Sequence, residues 1–314
     1  MGKKSKLEVY EEYALMEEGW IQTLCEYINE QCSLNSEMNV TLIEPGCGPG
    51  VRGAYFIKYL NFSKYFGIDN EMLNNNLFQR FEKKLSDTFK RFDRKSFKDE
   101  EIIIQLNNKK EIHLIKRDFL EWDITEQIRD GNEMKIIISS FFLHWLKRRW
   151  LKGINKILDL HPNYVILIGG GMPSFPIDGL KHFLSNYKKE DLFEEDTIKW
   201  FKFLFLLQKE IECNGVNLDR GLSAQDYLSR VEILISNGCN LNNFRFFFWE
   251  KILKIESIKS LYELDPLNLL PISARVNASA MVTKFTNSMA KNNLDSIKWR
   301  YLVYVAILRC RETH

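Results

Sequence analysis

Short apolar runs alternate with helical patterns along the chain, beginning at residue 40. A nearly continuous apolar run is typical of a strand that a parallel sheet buries on both faces. The pattern therefore predicts a series of buried strands in the first half of the chain. They cover residues 40–44, 64–69, 111–117, 135–139 and 164–168.

Apolar residues recur at helical spacing between and after these strands. Two later runs, 244–255 and 300–308, are further strand candidates, and the second of them alternates imperfectly. Strands that alternate with helices place the chain in the α/β class. The predicted helical segments are one or two N-terminal helices within 1–38, a long surface helix followed by a charged loop within 74–111, a helix over 147–158, a helix apolar nearly all round over 196–213, and a helix that starts at a capping-box-like Ser223-Ala-Gln-Asp226 and ends at Gly238.

Residues 40–53 read VTLIEPGCGPGVRG and predict a strand, a tight turn and the start of a helix. Glycine is needed where the backbone takes a positive φ or where a ligand approaches it closely, because a Cβ would occupy the space of the ligand. We therefore expect a small molecule to bind on the loop that contains Gly46, Gly48 and Gly50. Gly48, Gly50 and Gly53 also satisfy G-x-G-x-x-G, the dinucleotide fingerprint, so the loop by itself leaves a nicotinamide cofactor open.

An acidic residue ends the second predicted strand and another ends the third. At the second position, the carboxylate of Asp69 can accept hydrogen bonds from both hydroxyls of a ribose. Asp118 stands in the same kind of position, at the end of the third strand. His113 alternates with apolar residues inside that strand and is expected to be packed rather than to bind a ligand.

Two strings around these residues resemble the first two motifs of the class I S-adenosylmethionine-dependent methyltransferases. They are Glu44-Pro-Gly-Cys-Gly-Pro-Gly50 and G-I-D-x-x-M-L around Asp69. The resemblance covers residues 40–171 and, more loosely, 223–310. It implies an α/β fold with a seven-stranded, mostly parallel sheet, an antiparallel last strand and helices on both faces. It also implies a single methyltransferase domain over 1–314, with a helical substrate-covering insertion after the fifth strand, residues 172–222.

The same resemblance implies S-adenosyl-L-methionine as the cofactor and names the residues that would bind it. Asp69 would hold the ribose hydroxyls, with Asn70 and Met72 flanking the adenine. Asp118 and the backbone of Phe119 would hold the adenine amino group. The full set of expected cofactor-binding residues is Glu44, Gly46, Gly48, Gly50, Asp69, Asn70, Met72, Asp118, Phe119, Ser139 and Ser140.

The segment Ser140-Phe-Phe-Leu143-His144-Trp145 indicates which class of methyl acceptor to expect. It resembles the corresponding segment of small-molecule carboxyl methyltransferases, such as those that act on trans-aconitate, malonyl carrier protein or juvenile hormone acid. The resemblance implies a small-molecule acceptor with an oxygen nucleophile, a carboxylate or a hydroxyl. His144 is the candidate catalytic base, because imidazole titrates near neutral pH, but it would serve in binding if the acceptor is a carboxylate. A protein or peptide methyltransferase with an open cleft is the alternative on the same fold.

Composition and charge bound the possible partners. In 314 residues, 44 Lys and Arg nearly balance 42 Asp and Glu, and the net charge of +2 gives no electrostatic footprint for nucleic acid. A local basic stretch at 89–98 is diluted by acidic neighbours. No apolar run approaches the length of a membrane span. We therefore expect a cytoplasmic protein with no nucleic-acid or membrane partner, and leave its oligomeric state open.

Metal binding and disulfides are not expected. The six cysteines are dispersed and show neither C-x-x-C spacing nor a zinc pattern with histidine, so free thiols are the simplest interpretation. Ser139 and Ser140 stand where catechol-type methyltransferases place an acid that binds a metal. The expected metal content is therefore none.

Overall fold

The computed structural model describes residues 18–48, 50–70, 75–89, 92–98, 100–106, 110–123, 133–140, 142–171, 224–254, 276, 279–280, 283–284, 286–287 and 296–310. For some of these residues, including His144 and Trp145, only the backbone is described. Met72 and the expected covering insertion, 172–222, lie outside the described residues.

A nine-stranded mixed sheet runs through the described part of the chain. The strands are β1 Val40–Pro45, β2 Lys64–Ile68, β3 Phe92–Lys98, β4 Glu101–Leu106, β5 Glu111–Ile115, β6 Met134–Ser140, β7 Tyr164–Gly171, β8 Cys239–Lys254 and β9 Ser296–Cys310. Their order is β3-β4-β5-β2-β1-β6-β7-β9-β8. From β5 to β7, every neighbouring pair is parallel. The predicted buried strands are therefore confirmed as the parallel centre of an α/β fold.

The far end of the sheet is antiparallel. The backbone N–H of Cys310 donates to the carbonyl of Asn163 at 2.9 Å, which places the end of β9 beside the start of β7. A disulfide between Cys239 and Cys310 likewise joins the start of β8 to the end of β9. Both strands thus run against their neighbours, and the predicted antiparallel last strand is confirmed.

The predicted count of seven strands is wrong, because a hairpin extends the sheet beyond β5. β3 and β4 occupy much of the segment for which a charged loop was expected, and β4 pairs antiparallel with both β3 and β5. The hairpin forms because Ile102, Ile104 and Leu106 alternate with half-buried residues and turn one face of β4 into the core. The helix predicted for the same segment does form, over Asn75–Thr88.

Helices pack on this sheet through apolar stripes. They are α1 Glu18–Gln31, α2 Val51–Tyr59, α3 Asn75–Thr88, α4 Trp150–Asp159 and α5 Ala224–Ser236, with a 3-10 helix, Leu143–Arg149, directly before α4. One continuous core unites buried residues of α1, α2 and α3, such as Leu24, Phe56 and Phe81, with sheet residues such as Leu42 and Ile112. The helix predicted over 147–158 begins later than expected as an α-helix because the 3-10 turn occupies its start.

The cysteines differ from the sequence-based expectation. Cys239 and Cys310 are bonded to each other, so the prediction of free thiols is wrong for this pair. Residues 71 positions apart carry no local signal of such a bond. Among the described residues, Cys25, Cys32 and Cys47 are free and buried. Disulfides are rare in reducing compartments, and the expected cytoplasmic location stays a prediction.

The chain divides into two compact units. One unit comprises Leu15–Gly170, Ala224–Phe247 and Val303–His314, and the other comprises Met1–Ala14, Gly171–Ser223 and Phe248–Leu302. All described residues of the site below belong to the first unit. The assignment of 1–314 to a single methyltransferase domain stays a prediction.

Candidate functional site

The loop after β1 has a left-handed backbone at its glycines. The φ angles of Gly46, Gly48 and Gly50 are 66°, 56° and 72°, a region that residues with a Cβ rarely adopt. The N–H of Gly46 donates to the carbonyl of Ile68 at 2.8 Å, and this bond fixes the loop to the end of β2. Gly50 is the residue before α2, which begins at Val51. The predicted strand, turn and helix start are confirmed.

Gly46 and Gly48, the first two glycines of this loop, face different surroundings. A Cβ on Gly46 would collide with the ring of Phe142, which stands two residues after the end of β6. A Cβ on Gly48 would meet no atom within 4 Å in the structure described. The backbone of Gly48 is therefore open to a ligand, whereas Gly46 is required by packing.

Asp69 lies directly beside the glycine loop. Its Oδ2 accepts a hydrogen bond of 3.0 Å from the N–H of Gly48. Its own N–H donates to the carbonyl of Ile115, the last residue of β5, at 3.0 Å. Asp69 thus sits between the ends of β5 and β1, where the strand order places the end of β2. The next residue, Asn70, is exposed.

Asp118 and Phe119 follow β5 at the same edge of the sheet. The Oδ1 of Asp118 accepts from the N–H of Leu120 at 3.0 Å, and its Oδ2 lies 3.5 Å from Nη1 of Arg149. Phe119 is buried, and its ring meets Phe142 edge to face, with 5.7 Å between the ring centroids. The Asp118 side chain remains 28% exposed, so solvent and ligands can reach it.

A buried polar network underlies the loop. Glu44, the acid near the end of β1, is 0% exposed, and its Oε2 accepts a hydrogen bond of 2.5 Å from the hydroxyl of Tyr65. Arg52, on the first turn of α2, is also buried and donates from Nη1 to Oγ of Ser140 at 3.1 Å. This network joins the ends of β1 and β6 to β2 and α2.

Burial controls the ionisation of Glu44. It raises the pKa of this carboxyl to about 7, and the negative charge of Asp69 acts in the same direction. The Arg52 charge and the Tyr65 hydrogen bond oppose this rise. The other carboxylate oxygen, Oε1, is buried and accepts no hydrogen bond from the described residues. An unpaired buried acceptor is costly, and a donor brought by a ligand would satisfy it.

Sequence reasoning missed Arg52, Tyr65 and Phe142 as members of this site. Tyr65 is hidden in the apolar run of β2, and Phe142 stands in an aromatic segment with no distinctive spacing. A signal for the Tyr65 contact exists at Gly53, because a Cβ there would collide with the Tyr65 hydroxyl and lie 3.2 Å from Oε2 of Glu44. The third glycine of G-x-G-x-x-G is therefore explained by this packing.

The structure brings most of the expected cofactor-binding residues to one edge of the sheet. The glycine loop, Asp69, Asp118 and the pair Ser139 and Ser140 stand at the carboxyl ends of the parallel strands β1, β2, β5 and β6. The backbone of His144 lies in the 3-10 helix that follows β6. Its catalytic role stays a prediction, since its side chain is not described. His113 is packed as expected, stacked on Phe66 with its ring nitrogens 2.9 Å and 2.7 Å from Glu101 and Glu111.

No metal or membrane element is found within the described residues. None of their His, Cys, Asp and Glu side chains form a group of three or more that could hold a metal ion. None of the helices described is both long enough and apolar enough to cross a membrane.

No family model and no curated protein sequence matches this chain. Among solved structures, the chain is similar to YjhP from E. coli, with 10% identity, a TM-score of 0.49 and coverage of 98% of this chain and 99% of that one. It is also similar to YcgJ from Bacillus subtilis, with 10% identity, a TM-score of 0.45 and coverage of 94% and 98%. The plantazolicin methyltransferase BpumL shares 13% identity over 93% of this chain and 84% of that chain, with a TM-score of 0.40. At these identities and scores the likeness carries no argument about function.

Proposed function

We propose that this chain is an S-adenosylmethionine-dependent methyltransferase. The observation that supports the proposal best is the row of ligand-binding groups at the carboxyl edge of the sheet. Two acids and an open glycine loop follow three adjacent parallel strands, β5, β2 and β1, and serines end the next strand, β6. Ligands of open α/β sheets bind at this edge. With roughly 5 Å between strands, the row spans about 15 Å, enough for a nucleoside joined to an amino acid.

The residues present fit this cofactor. The open space above Gly48 allows a ligand to approach the backbone, and the Asp69 carboxylate lies next to it for the ribose hydroxyls. Asp118 stands one strand further along, on the side where the adenine would lie. Near the end of β1, the strand that precedes the loop, the unpaired Oε1 of Glu44 supplies a buried acceptor. These groups are acceptors and anions, which suit a ligand with hydroxyl, amino and cationic groups.

The cofactor, when bound, supplies a methyl group on a positively charged sulfur. The task of this chain is then to hold donor and acceptor in line and to exclude water. The glycine loop and Asp69 would fix the donor, and the segment from Ser139 through the 3-10 helix would face the acceptor. Phe119 and Phe142 pack edge to face, and Phe142 also packs against Gly46 of the loop.

The acceptor proposed is a small molecule with a carboxylate or hydroxyl oxygen. Support comes from the segment Ser140-Phe-Phe-Leu143-His144-Trp145 and its likeness to carboxyl methyltransferases. In this proposal His144 is the base for a hydroxyl acceptor or a binding residue for a carboxylate. A protein or peptide acceptor is the second candidate.

A nicotinamide cofactor is less well supported. The classic dinucleotide-binding sheet has strand order 3-2-1-4-5-6 and is mostly parallel. In this chain the antiparallel β9 lies between β7 and β8. This strand order favours the methyltransferase over the oxidoreductase.

Ligand-dependent thermal unfolding tests the proposal. S-adenosylhomocysteine should raise the melting temperature of the purified chain by several degrees at saturation, because a ligand that binds only the folded state stabilises it. NAD⁺ at the same concentration should leave it unchanged. Stabilisation by NAD⁺ and not by S-adenosylhomocysteine would reverse the assignment.

A further inference from the structure

Arg52, on the first turn of α2 after the glycine loop, is a buried cation among the described residues. Its residue is 8% exposed, and Nη1 lies 3.1 Å from the Ser140 hydroxyl. Ser140 is the last residue of β6, and its own exposure is 0%. A guanidinium that is buried and hydrogen-bonded in this way fixes the distance between two elements, here α2 and β6.

The Glu44 carboxylate is the nearby negative charge of the same network. Its two oxygens differ, because Oε2 receives the Tyr65 hydroxyl and Oε1 receives no described donor. The Arg52 charge lowers the pKa of Glu44 against the larger effect of burial. The charge of Arg52 therefore favours the carboxylate form of Glu44.

Other titratable groups around Glu44 do not supply this positive charge. Asp69, after β2, is an anion, and Tyr65 is a neutral donor whose pKa burial raises. The thiols of Cys47 in the loop and Cys25 in α1 are kept neutral, because burial raises their pKa. Arg52 is thus the cation whose attraction acts on Glu44.

We propose that Arg52 is a positioning residue for the cofactor site. It acts as the buried counter-charge of Glu44 and holds Ser140 at the end of β6 in place relative to the glycine loop. The inference rests on the proposed function, because the site it serves is the one assigned to S-adenosylmethionine. Arg52 itself lies beneath the loop and contacts Ser140.

Substitutions of Arg52 and Ser140 separate the effect of the Arg52 charge on Glu44 from the hydrogen bond of Arg52 to Ser140. Arg52→Gln removes the charge and the Ser140 contact geometry, Arg52→Lys keeps the charge without the guanidinium fork, and Ser140→Ala keeps the charge and removes one hydrogen bond. Arg309→Gln is the matched control, because Arg309 is exposed on β9. The probe is S-adenosylhomocysteine, whose dissociation constant is measured by calorimetry between pH 5.5 and 9.

In the wild type, we expect affinity for S-adenosylhomocysteine to fall as pH falls below about 7, where Glu44 becomes protonated. Without Arg52 the pKa of Glu44 rises further, so Arg52→Gln should lose affinity already at higher pH, while Arg52→Lys keeps the wild-type pH profile. Ser140→Ala and Arg52→Lys should weaken binding by about three- to tenfold at pH 8, the usual range for one buried hydrogen bond. Arg309→Gln should match the wild type throughout.

If Arg52→Gln lowers the affinity for S-adenosylhomocysteine by the same factor at every pH, Arg52 has only a structural role and the proposal is overturned. If Arg52→Gln does not fold, the test rests on Arg52→Lys. An affinity of Arg52→Lys for S-adenosylhomocysteine equal to that of the wild type at pH 8 would show that Arg52 does not position Ser140. Unfolding of the ligand-free protein as a function of pH separates this inference from the proposed function. If neither the wild type nor any variant binds S-adenosylhomocysteine but Arg52→Gln still shifts the pH profile of unfolding, the methyltransferase proposal fails and the coupling of Arg52 to Glu44 stands.

Discussion

Gly48 and Asp69 are joined by a hydrogen bond of 3.0 Å from the backbone N–H of the glycine to the aspartate Oδ2. The contact links the loop after β1 to the end of β2, so the acid that would hold a ribose also orders the loop that would hold the rest of the ligand. Changes at Asp69 must therefore be designed to separate binding from loop order.

Asp69→Asn makes this separation, because the amide oxygen can still accept from Gly48 while the charge is lost. We expect the dissociation constant for S-adenosylhomocysteine to increase by roughly 10- to 100-fold, as charge-assisted bonds of about 1.5 to 3 kcal/mol are removed. The melting temperature without ligand should change little. Asp159→Asn, at an exposed site on α4, is the control for loss of a carboxylate. Equal affinities for both variants would remove Asp69 from the site.

Gly48→Ala tests whether the open space above the loop is a binding surface. Both Gly48 and Gly238 have positive φ, 56° and 93°, and an added Cβ meets no atom within 4 Å at either position. Alanine should therefore cost about 1 to 2 kcal/mol of folding free energy at both sites. Only Gly48→Ala should also weaken binding of S-adenosylhomocysteine. Calorimetry on the two variants provides the comparison, and equal affinities would show that the ligand does not approach Gly48.

Glu44 predicts a pH dependence of stability. Its pKa is raised in the folded protein from 4.5 to about 7, so between these values the folded state holds a proton that the unfolded chain has released. The free energy of unfolding should therefore fall as pH rises from about 4.5 to about 7, by at most about 1.4 kcal/mol per pH unit. Denaturant titrations should show that Glu44→Gln lacks this fall in the free energy of unfolding. The control variant Glu37→Gln, at an exposed position, should retain it. If Glu44→Gln shows the same dependence of the free energy of unfolding on pH as the wild type, a group other than Glu44 binds the proton.

His144→Ala distinguishes the two acceptor classes once a substrate has been found. A carboxylate acceptor is already ionised at neutral pH, so the substitution should raise KM more than it lowers kcat. A hydroxyl acceptor needs a base, and kcat should then fall by roughly 10²- to 10⁴-fold. Steady-state kinetics with wild-type values for both constants would exclude His144 from the site.

Metal chelation should leave ligand binding and any methyl transfer by this protein unaffected. No cluster of metal ligands occurs among the described residues, and serines end β6 where a metal-binding acid would stand. Affinity for S-adenosylhomocysteine and turnover should both survive EDTA. Loss of turnover that Mg²⁺ restores would contradict this expectation.

The centre of the fold was predictable because local patterns and global fold agree there. The buried runs of β1, β2, β5, β6 and β7 are continuous, and the loop places glycines at the three positions where the backbone has a positive φ. Gly238 ends α5 as the sequence indicated. The β3–β4 hairpin was not predicted, because its charged residues are typical of a surface loop and Ile103 interrupts the alternation of β4.

Long-range polar contacts in the site lay beyond sequence reasoning. Arg52 and Ser140 are 88 positions apart, and a buried arginine cannot be told from an exposed one by local spacing. Tyr65 and Glu44 occupy strands whose apolar neighbours dominate the pattern. Such pairs become visible only when the sheet places the ends of β1, β2 and β6 side by side.

The disulfide between Cys239 and Cys310 gives the chain a covalent topology that the linear sequence lacks. It closes a ring across 71 positions, and the segment Phe248–Leu302 lies entirely within that ring. In the chain-entropy description, closing a ring of this size lowers the entropy of the unfolded state by an amount worth about 4 kcal/mol. A single proteolytic cut anywhere inside the ring would leave one covalent molecule, whose two fragments separate only after reduction.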